Sequence, residues 1–138
     1  MATYDFPTPA AARFPSMVVV SITNACDYAC THCFYPRYVE SPDYRRQDME
    51  MQVFRKIIDE MGGCPGSILR LLAWGEPLCH PELVDQIACA SAGAPESPVT
   101  LITNGYRMPP DRSRAMMEAG LDLIEVSIDA ATPETYGR

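Results

Sequence analysis

Three cysteines stand at Cys26, Cys30 and Cys33, just after an apolar run and just before the aromatic pair Phe34-Tyr35. Their Cys-x3-Cys-x2-Cys spacing offers three thiolates to one metal centre and withholds a fourth, which leaves a coordination position for another molecule. An iron-sulfur cluster with one open iron suits that arrangement, and such a cluster does redox chemistry. His32, Phe34 and Tyr35 give the same loop planar side chains able to lie against a ligand ring. Zinc is the competing occupant, with His32 or His80 completing the three cysteines. Structural zinc sites, however, usually join two close ligand pairs. Cys64, Cys79 and Cys89 are scattered singly and form no second pair.

Something must hold that loop, and the chain supplies alternating strand-like and helix-like segments. Met17-Val18-Val19-Val20, continued by Ser21-Ile22-Thr23, reads as a buried strand that ends where the cysteine loop starts. Val53, Phe54, Ile57, Ile58 and Met61 recur on one helical face, closed by Gly62-Gly63. Residues 68–73 form a second strand. Pro81 opens a helix with Leu83, Val84, Ile87 and Ala88 as its apolar stripe, ending near Gly93. Residues 99–102 form a third strand and 111–119 a third helix, stopped by Gly120. In a fourth strand Ile124, Val126 and Ile128 alternate with Glu125, Ser127 and Asp129, so the polar three share a face. This alternation predicts an α/β fold of parallel βα repeats, in which the strands' carboxyl ends converge on one mouth. His80 reads as a loop or cap residue, Trp74 as core or ligand wall, and the three remaining cysteines as small buried hydrophobes or free thiols.

The segments at those strand ends carry a resemblance. Cys26-Asp27-Tyr28-Ala29-Cys30-Thr31-His32-Cys33 resembles the cluster loop of the radical S-adenosylmethionine (radical SAM) superfamily, CxxxCxφC, with His32 in the usually aromatic φ position. Trp74-Gly75-Glu76-Pro77, Thr103-Asn104-Gly105 and Val126-Ser127-Ile128-Asp129 follow in the family's order, so the likeness runs from about Met17 to the last residue. It is similar to members that carry SPASM or twitch C-terminal modules. The resemblance implies a 4Fe-4S cluster on Cys26, Cys30 and Cys33 whose open iron is chelated by S-adenosylmethionine. The cosubstrate would then be cleaved to methionine and a 5′-deoxyadenosyl radical that takes hydrogen from a substrate. It further implies that Glu76, exposed by a turn at Gly75, accepts hydrogen bonds from the cosubstrate amino group. Thr103 and Asn104 would support the methionine carboxylate, with Ser127 reaching the same ligand. His32 would pack near adenine, and Asp129 would orient ribose or substrate. Trp74 stands where the family has its first glycine.

Length and composition set bounds on this. At 138 residues the chain is one domain's worth, short of the roughly 200 or more residues of a complete α/β barrel. The resemblance implies a partial barrel of six βα units, so the expectation is a truncated chain holding its first four. Residues 1–16 are expected to be a loosely ordered arm and 17–138 the incomplete core domain. Lysine and arginine number 11 against 18 acidic residues, a net charge of −7. That balance argues against nucleic acid or an anionic membrane as a main partner. With no basic-then-apolar leader, six cysteines point to metal in a reducing, cytoplasmic compartment. The expected partners are S-adenosylmethionine, a reductant such as flavodoxin or ferredoxin, and a substrate that is a peptide or small molecule. A non-catalytic zinc-stabilised domain and an inactive truncation product are the alternatives.

Overall fold

In a computed structural model of the chain, which describes residues 14–72 and 74–136, the β-branched and leucine-rich runs become four strands. These are β1 (Met17–Val20), β2 (Ile68–Leu71), β3 (Val99–Thr103) and β4 (Leu123–Val126). Every pairing is parallel and each strand lies beside the one before it, in the order β1-β2-β3-β4. The connecting helices are α1 (Tyr35–Val39), α2 (Met51–Gly62), α3 (Leu83–Gly93) and α4 (Pro110–Glu118), and α5 (Pro133–Tyr136) follows β4. A parallel sheet wound this way brings all four carboxyl ends to one edge. The expected α/β repeat of four units is therefore present.

Strand alternation divides the sheet into two unlike faces. Val20, Leu69, Leu71, Val99 and Leu101 are buried in one core with Phe54, Ile58 and Met61 of α2, Leu83 and Ile87 of α3, and Met116 of α4. On the opposite face Val19 and Leu123 are exposed, and Arg70 reaches across β3 to Glu125 in an ion pair of 2.6 Å. Helix α2 buries Phe54, Ile58 and Met61, one strip at i, i+4, i+7, and this leaves the expected Val53 exposed. In α3 the buried strip is Leu83, Gln86, Ile87 and Ala90, so Ala88 of the expected stripe faces solvent. The polar Gln86 is admitted because its amide lies 3.4 Å from the Met49 carbonyl.

His80 acts as a cap. It is 1% exposed; its Nδ1 accepts from the Glu82 N–H at 3.1 Å, so Nε2 carries the hydrogen toward the Met49 carbonyl at 3.2 Å. One ring thereby joins the start of α3 to the approach to α2. At the end of the stretch expected to be a loosely ordered arm, Phe14 packs against the core, Ser67 Oγ donates to the Pro15 carbonyl at 2.7 Å, and the Ile68 N–H donates to the Ser16 carbonyl. Residues 1–13 lie outside the described residues. The fourth strand is shorter than expected, ending at Val126, although the Ser127 N–H still donates to the Thr103 carbonyl at 2.8 Å.

Among the described residues no strand pairs with the outer edge of β4, and Leu123, Val126 and Ile128 are 44, 43 and 71% exposed there. Unpaired backbone beside apolar side chains is a template for association. Expressed alone, these 138 residues are expected to self-associate, and Ile128→Lys is expected to shift the population toward monomer. Light scattering coupled to gel filtration checks this; a parent that stays monomeric at high concentration contradicts it. No helix among the described residues is long and apolar enough to cross a membrane.

Candidate metal centre

The cysteine loop leaves the carboxyl end of β1 and is tied down by its own backbone. The Cys26 N–H donates to Tyr35 Oη at 2.8 Å, the Cys33 N–H to the Cys30 carbonyl at 3.1 Å, and the Tyr35 N–H to Cys33 Sγ at 3.4 Å. Tyr35 is thus buried beneath the loop, not turned toward a ligand as the sequence suggested. Burial, reinforced by the Tyr44 hydroxyl, pushes its phenol up to about 12. Cys26, Cys30 and Cys33 are all free and partly exposed. Burial also pushes the Cys26 thiol up, with Asp27, Glu76 and Cys30 adding to the effect against a backbone hydrogen bond at Tyr28. A metal entering here therefore displaces a proton.

The spacing of donors bears on which metal fits. Among the described residues, the trio of ligating side chains gathered within 4.8 Å of one another is Cys30, His32 and Asp129; the three cysteine sulfurs are not drawn that tightly together. Tetrahedral zinc, with Zn–S of about 2.3 Å, needs sulfurs roughly 3.8 Å apart. A cubane cluster holds its thiolates wider, and three reachable thiols with an amide directed at Sγ of one suit it. Cys79, which seemed isolated in the sequence, lies close enough to Cys26 and Asp27 for their charges to raise its pKa after the larger effect of burial.

A second turn follows β2 and presses on the first. A Cβ on Gly75 would stand 2.5 Å from the Ala25 carbonyl oxygen and 2.6 Å from that of Thr23, so only glycine lets these backbones approach. The Glu76 N–H then donates to the Ala25 carbonyl at 2.7 Å. Its carboxylate is buried, not exposed by the turn as expected, and accepts from the Leu78 N–H at 3.0 Å, which starts the 3-10 turn Pro77–Cys79. It also accepts from Thr103 Oγ1 at 2.5 Å and the Asn104 N–H at 2.8 Å. The third turn is shaped by Gly105, whose φ of 76° is in the left-handed region, and its N–H donates to Thr103 Oγ1 at 3.0 Å. Asn104 Nδ2 donates to Asp27 Oδ1 at 3.0 Å, back in the cysteine loop.

Cys26, Gly75, Glu76, Thr103 and Asn104 are thus knit together by turns from three strands. Cys30, His32 and Asp129 form a separate wall, with His32 Nε2 3.9 Å from Asp129 Oδ1. They border a hollow of about 330 Å³ shared with Tyr28 and Tyr136. Ser127 is exposed and joins neither group through its side chain. Trp74 is not core: it is 59% exposed and meets Phe34 edge-on, ring centres 5.1 Å apart. Sequence reasoning missed Asp27 and Arg107, which pair at 2.7 Å, and the supporting role of Tyr35. The only signal for Asp27 was an acid directly after the first cysteine.

Comparison with known proteins identifies the family. The family model described as the Radical SAM superfamily matches residues 20–138. A GTP 3′,8-cyclase of Tolumonas auensis is 31% identical over 117 residues, covering 85% of this chain and 34% of that protein. A PqqA peptide cyclase of Ruegeria pomeroyi is 28% identical over 125 residues, covering 90% of this chain and 32% of its own length. The chain therefore spans about a third of these relatives. The crystal structure of BtrN in complex with AdoMet and 2-DOIA has the same fold, with a TM-score of 0.73 at 18% identity over 88% of this chain and 49% of BtrN. With its cysteine loop and three following turns inside the matched span, the chain belongs to the radical SAM superfamily, whose members use a 4Fe-4S cluster and S-adenosylmethionine.

Proposed function

We propose that this chain is the cluster- and cosubstrate-binding part of a radical SAM enzyme that abstracts hydrogen from a peptide or small molecule. The observation that carries this reading is the placement of three free, partly exposed cysteines on the same sheet edge as the Glu76–Thr103–Asn104 network. Cys26, Cys30 and Cys33 hold the cluster. When bound, that cluster supplies the electron that splits S-adenosylmethionine into methionine and a 5′-deoxyadenosyl radical.

The chain's own residues bind and orient. Glu76 already accepts three hydrogen bonds, and a carboxylate has about four lone-pair sites, so one remains for the cosubstrate ammonium. That contact is charge-assisted and hence among the stronger hydrogen bonds. Asn104 keeps one Nδ2 hydrogen for the methionine carboxylate beside the one it gives Asp27; Thr103, whose single hydroxyl hydrogen goes to Glu76, supports that contact by fixing Glu76, and Ser127 offers its hydroxyl from just past β4. His32 and Asp129, on the wall of the 330 Å³ hollow, take adenine and ribose. BtrN, solved with AdoMet on this fold, supports that choice of cosubstrate. The relatives' names, a GTP cyclase and a peptide cyclase, support a substrate that is a small molecule or a peptide. A small electron-transfer protein of the flavodoxin or ferredoxin kind is the reductant, and the reducing cytoplasm is the compartment in which six unpaired thiols persist.

Anaerobic reconstitution tests the reading. The chain is expected to take up about four iron and four sulfide and to develop broad visible charge-transfer absorption. Stoichiometric zinc with no such absorption in anaerobically purified protein overturns it.

A further inference from the structure

Between the first two cysteines lies an acidic side chain to which the cluster reading gives no task. Asp27 sits in the loop, yet its side chain is only 7% exposed. Oδ1 accepts from Asn104 Nδ2 at 3.0 Å and Oδ2 from Arg107 Nε at 2.7 Å. Both partners lie on the turn after β3, 77 and 80 residues further along the chain. A buried carboxylate is costly unless it is paired and hydrogen-bonded. Here both conditions are met by another loop, so they hold only while the two loops are in register. Asn104 makes that register strict: its N–H goes to Glu76 and its side-chain amide to Asp27. The guanidinium of Arg107 is in turn held charged by the Asp27 hydrogen bond.

We propose that Asp27, clamped by Asn104 and Arg107, is a positioning residue that sets the cysteine loop against the Thr103–Gly105 turn. Arg107 is the counter-charge that keeps the Asp27 carboxylate tolerable once thiolates gather beside it. The positioning half stands on the metal-free chain alone. The counter-charge half rests on the proposed cluster.

Hydrogen exchange on the metal-free chain tests the first half. In Asp27→Asn and Arg107→Met the hydrogen-bonded loop amides of Cys26, Cys33 and Tyr35 are expected to exchange about tenfold faster or more, as for release of a loop held by charged hydrogen bonds. Amides of β3 and α3 should keep the parent rate. Arg107→Lys, which retains the charge, should stay within about threefold of the parent, and the double variant should be no faster than the worse single one. A loop that exchanges at the parent rate in both single variants overturns the proposal. So does an equal acceleration in β3 and α3, or loss of the fold, because Asp27 would then be a general stability residue. Reduction potentials of the reconstituted cluster, followed by EPR, test the second half. Asp27→Asn should raise the potential and Arg107→Met should lower it, since one removes and the other uncovers a negative charge. Shifts of the same sign, or none, remove the counter-charge role. A parent that takes up no cluster sinks that half together with the proposed function and leaves the exchange result standing.

Discussion

Replacing Cys26, Cys30 or Cys33 by alanine, one at a time, is expected to abolish cluster retention. A three-thiolate site has no ligand to spare, and even outer-sphere partners of a metal are worth about 10–100-fold in affinity, so losing a ligand should cost more than that. The informative control is Cys79→Ala. Cys79 sits in the Pro77–Cys79 turn within electrostatic reach of Cys26 and Asp27, which makes it the thiol best placed to act as a fourth ligand. Iron and sulfide content should be unchanged in Cys79→Ala and near zero in the other three. Loss of the metal in all four variants would point to a closed four-cysteine site, which has no open position for a cosubstrate.

Glu76→Gln is expected to damage both the fold and the site. The side chains are nearly equal in size, but three donors converge on this carboxylate: the Leu78 N–H, Thr103 Oγ1 and the Asn104 N–H. Glutamine accepts on one oxygen and turns an NH2 toward a donor on the other side. One buried donor is orphaned and the remaining bonds lose their charge assistance, a loss of about 2–4 kcal/mol of stability. Denaturant midpoints with an unchanged slope measure it. S-adenosylmethionine binding to the reconstituted protein should weaken as well, while cluster content persists, because a charge is removed and not a ligand. Unchanged stability and unchanged cosubstrate affinity together would take Glu76 out of the site.

The parts of this molecule that were legible in its sequence are those governed by local rules. The four strands were announced by short apolar runs, and the cysteine loop follows the first of them as expected. What escaped depends on contacts between distant segments. Helix α1 lacks an amphipathic stripe long enough to show, and it forms around Tyr35, which is buried against the Cys26 amide. Asp27 looked like any loop acid until Arg107 came to lie beside it. Glu76 was picked out for a ligand, yet most of its bonding capacity serves the chain itself. Val53 and Ala88 were read one position off the buried strips, since a helical stripe drifts across neighbouring residues and only packing decides its centre.

Strand order also has a consequence for how the molecule is made. Because each strand pairs with the one before it, the sheet can grow in the order of translation, and a ribosome adding about 5–20 residues per second delivers each new unit within a few seconds. The cysteine loop emerges first. Asn104 and Arg107, which fasten Asp27, emerge some 80 residues later. During that interval the loop lacks the contacts that later seat it, so the first functional segment to be made is the last to be fixed in place.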